Sequence, residues 1–274
     1  MWTLTAQVLD GLDEALNTAL TLRDETPVYA LTPLERAAIH SVYQLYEQMA
    51  GQLQAAHLPV ALAAARPSLY DAYDQVQIGG RLASLRSSLL ASTTACPYCG
   101  FGELKDLDHY LPRSIFGELA IYPNNLIPSC GPCNNAKRKI MPGQSTGMIH
   151  PYFQILPDVD FFKADVTFNA GALNVTYRID PADLDPPLAA QLQFQLDRLK
   201  LNQRYIAQIN KFLSEQKVAM LMFSEQGAAI FSDFLLRGAN SMARSFHRND
   251  WRVALFRSLS DNADFCADPA SYLS

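Results

Sequence analysis

Leu34, Ala38, Val42, Leu45, Met49 and Leu53 recur at helical spacing in the first third of the chain. Thr32-Pro33-Leu34-Glu35 opens that run, with Thr as N-cap, Pro at the first helical position and Glu placed to close a capping box. The pattern predicts an earlier helix over about Thr5–Leu22. It predicts a third helix from about Pro67, broken at Gly79-Gly80. Beyond residue 157, Leu188, Leu192, Leu196 and Leu199 make one apolar stripe, and Ile206, Ile209, Leu213 and Met220 make another. Before those helices come two runs of strand formers, Val166-Thr167-Phe168 and Leu173-Asn174-Val175-Thr176-Tyr177. Asn169-Ala170-Gly171-Ala172 makes their turn, and the pair is expected to extend a sheet in the middle of the chain. Asp180-Pro181 and Pro186-Pro187 then interrupt the chain.

Between the two helical regions the pattern changes. Cys96-Pro-Tyr-Cys99 and Cys130-Gly-Pro-Cys133 bracket Leu107-Asp108-His109. Each Cys-x-x-Cys turn sets two sulfurs on one side of a tight loop, so two such turns form a closed tetrahedral zinc site. Such a site is structural and leaves no open position for chemistry. A redox dithiol is the competing reading for one pair, and the presence of two pairs argues against it. Cys266 has no evident partner and reads as a plain thiol in a reducing cytoplasm.

An Asp-His pair inside the loop that the cysteines close, with Asn134 directly after the last Cys, suits a metal-dependent nuclease centre: phosphodiester hydrolysis needs an activated water, a cation to neutralise charge and help for the leaving oxygen. His109 is the natural base, since an imidazole near neutrality can take a proton from water. Asp108 offers an anionic oxygen and Asn134 a neutral one, both suited to Mg²⁺ or Mn²⁺. On a strand, Asp108 and His109 point to opposite faces, so a turn would be needed to bring both to one phosphate.

The segment Cys96 to Lys139 resembles the HNH, or ββα-metal, endonuclease family. Leu107-Asp108-His109-Tyr110-Leu111-Pro112-Arg113-Ser114, then Asn125-Leu126-Ile127-Pro128, then Cys130 to Lys137 follow the family's order of elements. The family's last His is here Asn134. The resemblance implies a ββα unit stapled by zinc on Cys96, Cys99, Cys130 and Cys133. His109 would be the base, with Asp108 and Asn134 holding the catalytic cation. Asn125 would pin the loop that carries His109. The expected architecture is mostly helical α+β, with an N-terminal helical region at 1–92, the ββα unit at 93–157, and a β-hairpin with a C-terminal helical region at 158–274.

Each residue has a plainer reading. An isolated Asp-His pair is usually a solvated turn, and Asn134 can simply cap a helix. On a helix starting near Asn134, Lys137 and Arg138 share its side, which favours phosphate contact; Lys139 and Arg113 are further candidates. Asn124 is expected in a turn. His150 is expected to be packed and structural, His40 and His57 structural or at the surface, and His247 incidental. Arg244, Arg248 and Arg252, with Arg237 behind them, could track a phosphate backbone, although a solvated face is the favoured reading.

The chain has 274 residues, 49% hydrophobic and 18% charged, enough for a substantial core. It has no apolar run of membrane-spanning length, and Met1-Trp2-Thr3-Leu4-Thr5 does not open a signal peptide, so a cytoplasmic protein is expected. Net charge is −5, which is unusual for a nucleic-acid binder. Residues 1–80 hold nine acidic and three basic side chains, and 158–185 hold six and two, so the remainder is positive. Local basic surface decides DNA affinity. The acidic arm suggests that efficient cutting requires a partner or an activated state. DNA is preferred over RNA on family grounds. The His150-Pro151-Tyr152-Phe153 run resembles stand-alone HNH proteins, including nuclease subunits of anti-phage systems such as Septu that work with an ATPase partner. The alternative is a non-catalytic zinc-knuckle subunit that binds nucleic acid or protein.

Overall fold

Thr32 caps its helix as the sequence predicts. In the computed structural model, which describes residues 3–7, 10–143, 146–169 and 172–273, α2 spans Pro33–Gln48 and follows α1 at Leu12–Ala19. Thr32 Oγ1 accepts from Glu35 N at 3.2 Å, while Glu35 Oε2 accepts from Thr32 N at 2.8 Å. The buried face of α2 is Ile39, Val42, Tyr43 and Tyr46; of the expected stripe Val42 and Leu53 are buried, whereas Leu34 is 70% exposed. Tyrosines account for the shift. Tyr43 stacks on Tyr122 at 4.1 Å and Tyr46 meets the same ring edge-on at 5.7 Å.

The first helix is shorter than expected. Gly11, at φ 73°, precedes α1, and residues 3–7 are not helical. Residues 8 and 9 of the expected helix lie outside the described residues, as do Met1 and Trp2. Leu4 N donates to Pro151 O at 2.7 Å and Gln7 N to Asn124 Oδ1 at 2.7 Å, so these amides pair with residues distant in sequence. Next come α3 at Arg66–Asp71, a 3₁₀ turn at Ala72–Val76, the expected break at Gly79-Gly80, and α4 at Ala83–Ala91.

The middle of the chain forms the ββα order. β1 at Asp106–His109 pairs antiparallel with β2 at Leu126–Ser129, and α5 at Gly131–Lys137 follows. In this register Asp108 faces Ile127 and His109 faces Leu126. Neither strand could stand alone at four residues. The N-terminal helices cover them: α4 packs on both strands, Arg86 donates to Lys105 O, and Tyr73 Oη donates to Leu107 O at 3.1 Å. Residues 3–155 therefore form one compact unit, where the sequence suggested two regions meeting at 92/93.

Residues 156–273 form the other unit. β3 at Phe162–Asn169 and β4 at Ala172–Ile179 are an antiparallel sheet of their own and do not extend β1–β2, contrary to expectation. Their own helices cover them: β3 packs on α9 (Trp251–Ser260), and β4 on α6 (Pro186–Arg198) and α7 (Leu201–Ser224). Ala170 and Gly171 of the expected turn lie outside the described residues. Leu188, Leu192, Leu196 and Leu199 are buried as expected, whereas Ile206 is 57% exposed. The arginine stripe is broken. α8, at Ala228–Phe246, ends at His247 with φ 89°, so Arg248 is not helical. Arg248 pairs with Asp158 and Asp160, Arg252 with Asp250, and Arg237 with Asp233 at 2.7 Å. Three of the four arginines thus meet acids of their own unit.

Candidate functional site

Cys96, Cys99, Cys130 and Cys133 converge with all four sulfurs within 4.8 Å of one another, and all four residues are buried. Cys99 Sγ and Cys130 Sγ are 3.8 Å apart, too far for a disulfide. A tetrahedral metal with sulfurs at ~2.3 Å would set them ~3.8 Å apart. The donor set and spacing fit such an ion. Gly102 shows how close the backbone comes: a Cβ there would lie 2.6 Å from both Cβ and Sγ of Cys130. Gly102 N donates to Cys99 Sγ at 3.3 Å, as loop amides do to thiolates. Burial pushes the Cys96 thiol well above its usual range, so four ionised sulfurs need a cation among them. Cys266 is buried, with Sγ donating to Leu259 O at 3.4 Å.

The alternation of β1 sorts the chemistry. Asp106 and Asp108 face α5, and His109 faces away from it. Asn134 Nδ2 donates to Asp106 Oδ2 at 3.2 Å. One turn on, Lys137 Nζ meets Asp108 Oδ2 at 3.0 Å and donates to His109 O at 2.6 Å. Tyr98 Oη donates to the same Asp108 Oδ2 at 2.8 Å. Lys137 and Asp108 are 1% and 3% exposed. Burial raises the Asp108 carboxyl above the usual range, and the Lys137 ammonium opposes that shift. Asp108 and Asn134, expected to hold one cation, engage different partners here: Asn134 pairs with Asp106 and Lys137 with Asp108. Lys137 is also corrected as a phosphate contact, since its ammonium is enclosed. Arg138, at φ 50° just past α5, and Lys139 are exposed.

His109 Nε2 lies 2.9 Å from Ala120 O. A carbonyl only accepts, so Nε2 carries the proton and Nδ1 keeps its lone pair. Burial lowers the His109 pKa to about 3, with Arg113 and Lys137 adding to the shift, so the ring is neutral at ordinary pH. The residue still keeps some exposed surface. Tyr73 meets its ring edge-on at 4.3 Å. Arg113 lies over Tyr70 at 4.3 Å and Tyr73 at 4.9 Å, and its Nη1 donates to Tyr70 O at 3.2 Å. Its guanidinium is half-buried beside His109 rather than free on the surface.

Asn125 is completely buried. Its Oδ1 accepts from Leu111 N at 2.8 Å, and its Nδ2 donates to Leu111 O at 3.1 Å and Leu119 O at 3.2 Å. It thus ties the loop after β1 to the turn that presents Ala120 O. Tyr46 Oη donates to Asn125 Oδ1 at 3.1 Å and lies 2.9 Å from His150 Nε2. Tyr152 N donates to His150 Nδ1 at 3.2 Å, so the His150 proton is on Nε2 and points at Tyr46. Burial takes the His150 pKa down to about 3. Gly51, at φ 80°, gives this ring room: a Cβ there would lie 2.3 Å from His150 Cδ2. Asn124 lies in a 3₁₀ turn at Pro123–Asn125, as expected, and is also a buried clamp, accepting from Gln7 N and donating to Glu47 Oε1 at 2.9 Å.

Asp106, Tyr46, Tyr73 and Tyr98 were not anticipated. Period-two alternation on β1 could have found Asp106. The tyrosines carry no local signal that separates them from ordinary core residues.

Comparison with known proteins agrees with this geometry. Residues 96–139 match the family model described as HNH endonuclease. The chain is 30% identical over 141 residues to "Protein ea31" of Escherichia phage lambda, a match covering 46% of this chain. The chain spans 45% of that relative's length. No solved structure matches. Among the described residues no helix is long and apolar enough to cross a membrane.

Proposed function

We propose that this protein, whose residues 96–139 are an HNH endonuclease domain inside a mostly helical α+β fold, hydrolyses phosphodiester bonds in DNA. One observation carries the reading. His109 is a neutral imidazole at the end of β1, with Nε2–H fixed on Ala120 O and the Nδ1 lone pair available. An unprotonated nitrogen held in one direction is what a general base needs, and a pKa lowered to about 3 makes this ring a weaker base than the near-neutral imidazole expected. In the proposed reaction Nδ1 takes a proton from water, the water oxygen bonds to phosphorus, and the ester P–O bond breaks with its electron pair leaving on the sugar oxygen.

Zn²⁺ on Cys96, Cys99, Cys130 and Cys133 would be structural, setting the start of α5 against β1. Asp108 and Asn134 would hold Mg²⁺ or Mn²⁺, which neutralises charge on the phosphate when bound. Their hard oxygens suit either ion. At Asp108, the Lys137 ammonium and the Tyr98 hydroxyl already engage the carboxylate, so binding there requires Lys137 to give way. Arg113, Arg138 and Lys139 would meet the substrate backbone. Asn125 would hold the His109 loop through Leu111 and Leu119.

The sealed Asp108 also favours a second reading, a zinc-stapled module that binds nucleic acid or protein without cutting. Incubation of purified protein with supercoiled plasmid and Mg²⁺ or Mn²⁺ separates the two. Nicking that falls by about 10²–10⁴ in His109→Ala supports the nuclease. Absence of nicking in the native chain, or equal nicking in both, rejects it. An anti-phage role with an ATPase partner rested on the His150-Pro151-Tyr152-Phe153 run. Packing explains that run, since His150, Pro151 and Tyr152 are buried, and no observation supports the ATPase.

A further inference from the structure

We infer that Tyr73 is a positioning residue for His109, supplied from outside the matched domain; the inference rests on the reading of His109 as the base. An imidazole works as a base only when its unprotonated nitrogen is aimed at the water. The bond from Nε2 to Ala120 O anchors one edge of the ring and leaves it free to tilt about that contact. Tyr73 limits the tilt. Its ring meets the imidazole edge-on, with centroids 4.3 Å apart and planes at 67°. Its hydroxyl donates to Leu107 O at 3.1 Å, which ties the tyrosine to the strand that carries His109. Tyr73 is itself 8% exposed, and the Arg113 guanidinium lies 4.9 Å from its ring centroid. The 3₁₀ turn at Ala72–Val76 thus supplies a wall of the site from a segment more than twenty residues before the matched stretch.

A core tyrosine and a positioning tyrosine make different predictions. Loss of core packing lowers stability and leaves turnover intact in the molecules that stay folded. Loss of positioning lowers kcat with the substrate KM unchanged. The full-length, zinc-loaded protein is compared with Tyr73→Leu, which removes the ring, and Tyr73→Phe, which removes only the hydroxyl. Tyr73→Leu is expected to lower kcat for plasmid nicking at least about tenfold with KM within about twofold, and Tyr73→Phe to stay within about threefold of native. A second measurement does not need activity: ¹⁵N spectra of the His109 ring at one fixed pH report its tautomer. The native ring is expected as the Nε2–H form alone, and the Tyr73→Leu ring as a mixture. Tyr73→Met takes the place of Tyr73→Leu, with the same expectations, should the latter fail to fold. Native kcat and a single tautomer in the ring-deleted variant would overturn the inference. So would equal kcat losses in the Phe and Leu variants, which would assign the effect to the hydroxyl alone. A native protein that does not nick, together with the expected tautomer change, would reject the nuclease reading and leave Tyr73 as the residue that orients the ring.

Discussion

Two clusters in the ββα unit differ in what they hold ready for a cation. The four cysteines arrive with sulfurs within 4.8 Å of one another. The oxygen face of β1 is already engaged, with the Asn134 amide on Asp106 and the Lys137 ammonium on Asp108. The difference follows from how each is built. Each Cys-x-x-Cys is a local turn, and two turns need only one tertiary meeting. Bringing Asp108 and Asn134 to one cation depends on the rotation of α5 over β1, and that rotation also delivers Lys137, three residues further along the same helix. A buried carboxylate without a partner is costly, so the nearest cation takes it.

The largest effect expected from this contrast is at the thiolates. Structural zinc contributes about 10–16 kcal/mol in small peptides. That equals or exceeds the ~5–15 kcal/mol that holds a typical domain together. Cys130→Ser, or removal of the metal with a strong chelator, should therefore unfold the 3–155 unit rather than weaken it. Circular dichroism and metal analysis after gel filtration would show this as lost helix and lost zinc together. A metal-free protein with a native melting curve would break the contrast, because the sulfur cluster would then be no more than packing.

The oxygen face should respond less. Lys137→Met strips the buried Asp108 of its counter-charge, and breaking such a pair costs about 3–5 kcal/mol. Urea unfolding measures that loss directly. Millimolar Mn²⁺ should restore part of it in the variant while doing little for the native protein, since the ion then finds Asp108 unopposed. Equal effects of Mn²⁺ on both proteins would remove Asp108 from the list of candidate cation ligands.

The same contrast explains what the sequence revealed. The thiolate knuckles, the Thr32–Glu35 box and the Gly79-Gly80 break are local, and each appears where the residues predict. What failed to show was tertiary or carried no residue identity. Ala120 serves His109 through a backbone oxygen, which any residue would provide. Tyr46 and Tyr73 act through hydroxyls and ring edges, yet in sequence they look like core residues. The apolar stripe on α2 holds at Val42 and fails at Leu34, and it passes over Tyr43 and Tyr46, which bury although tyrosine ranks below leucine in hydropathy. The arginine line failed at His247, a non-glycine residue at positive φ that nothing in its neighbours announces.

The smallest effect concerns the buried ladder behind the site and sharpens the contrast by using a proton as the cation. His150 accepts from Tyr152 N on Nδ1 and points its Nε2 proton at Tyr46, so a second proton has no acceptor and the amide of Tyr152 opposes it. Its folded pKa is lowered to about 3, against about 6.5 when unfolded. Between those values the unfolded chain binds a proton that the folded chain refuses, so stability falls as pH drops below about 6.5 and is fully present above it. The slope from this residue is about 1.4 kcal/mol per pH unit. His150→Gln keeps a side chain that can donate and accept but does not titrate. Urea unfolding of the two zinc-loaded proteins at pH values from about 6.5 down to about 5, above the range where thiolate ligands are heavily protonated, should give a shallower acid slope for the variant by about that amount. Parallel slopes would mean that His150 titrates normally in the folded chain, and the Tyr46–Asn125 ladder would then lose the neutral ring on which its hydrogen-bond directions depend.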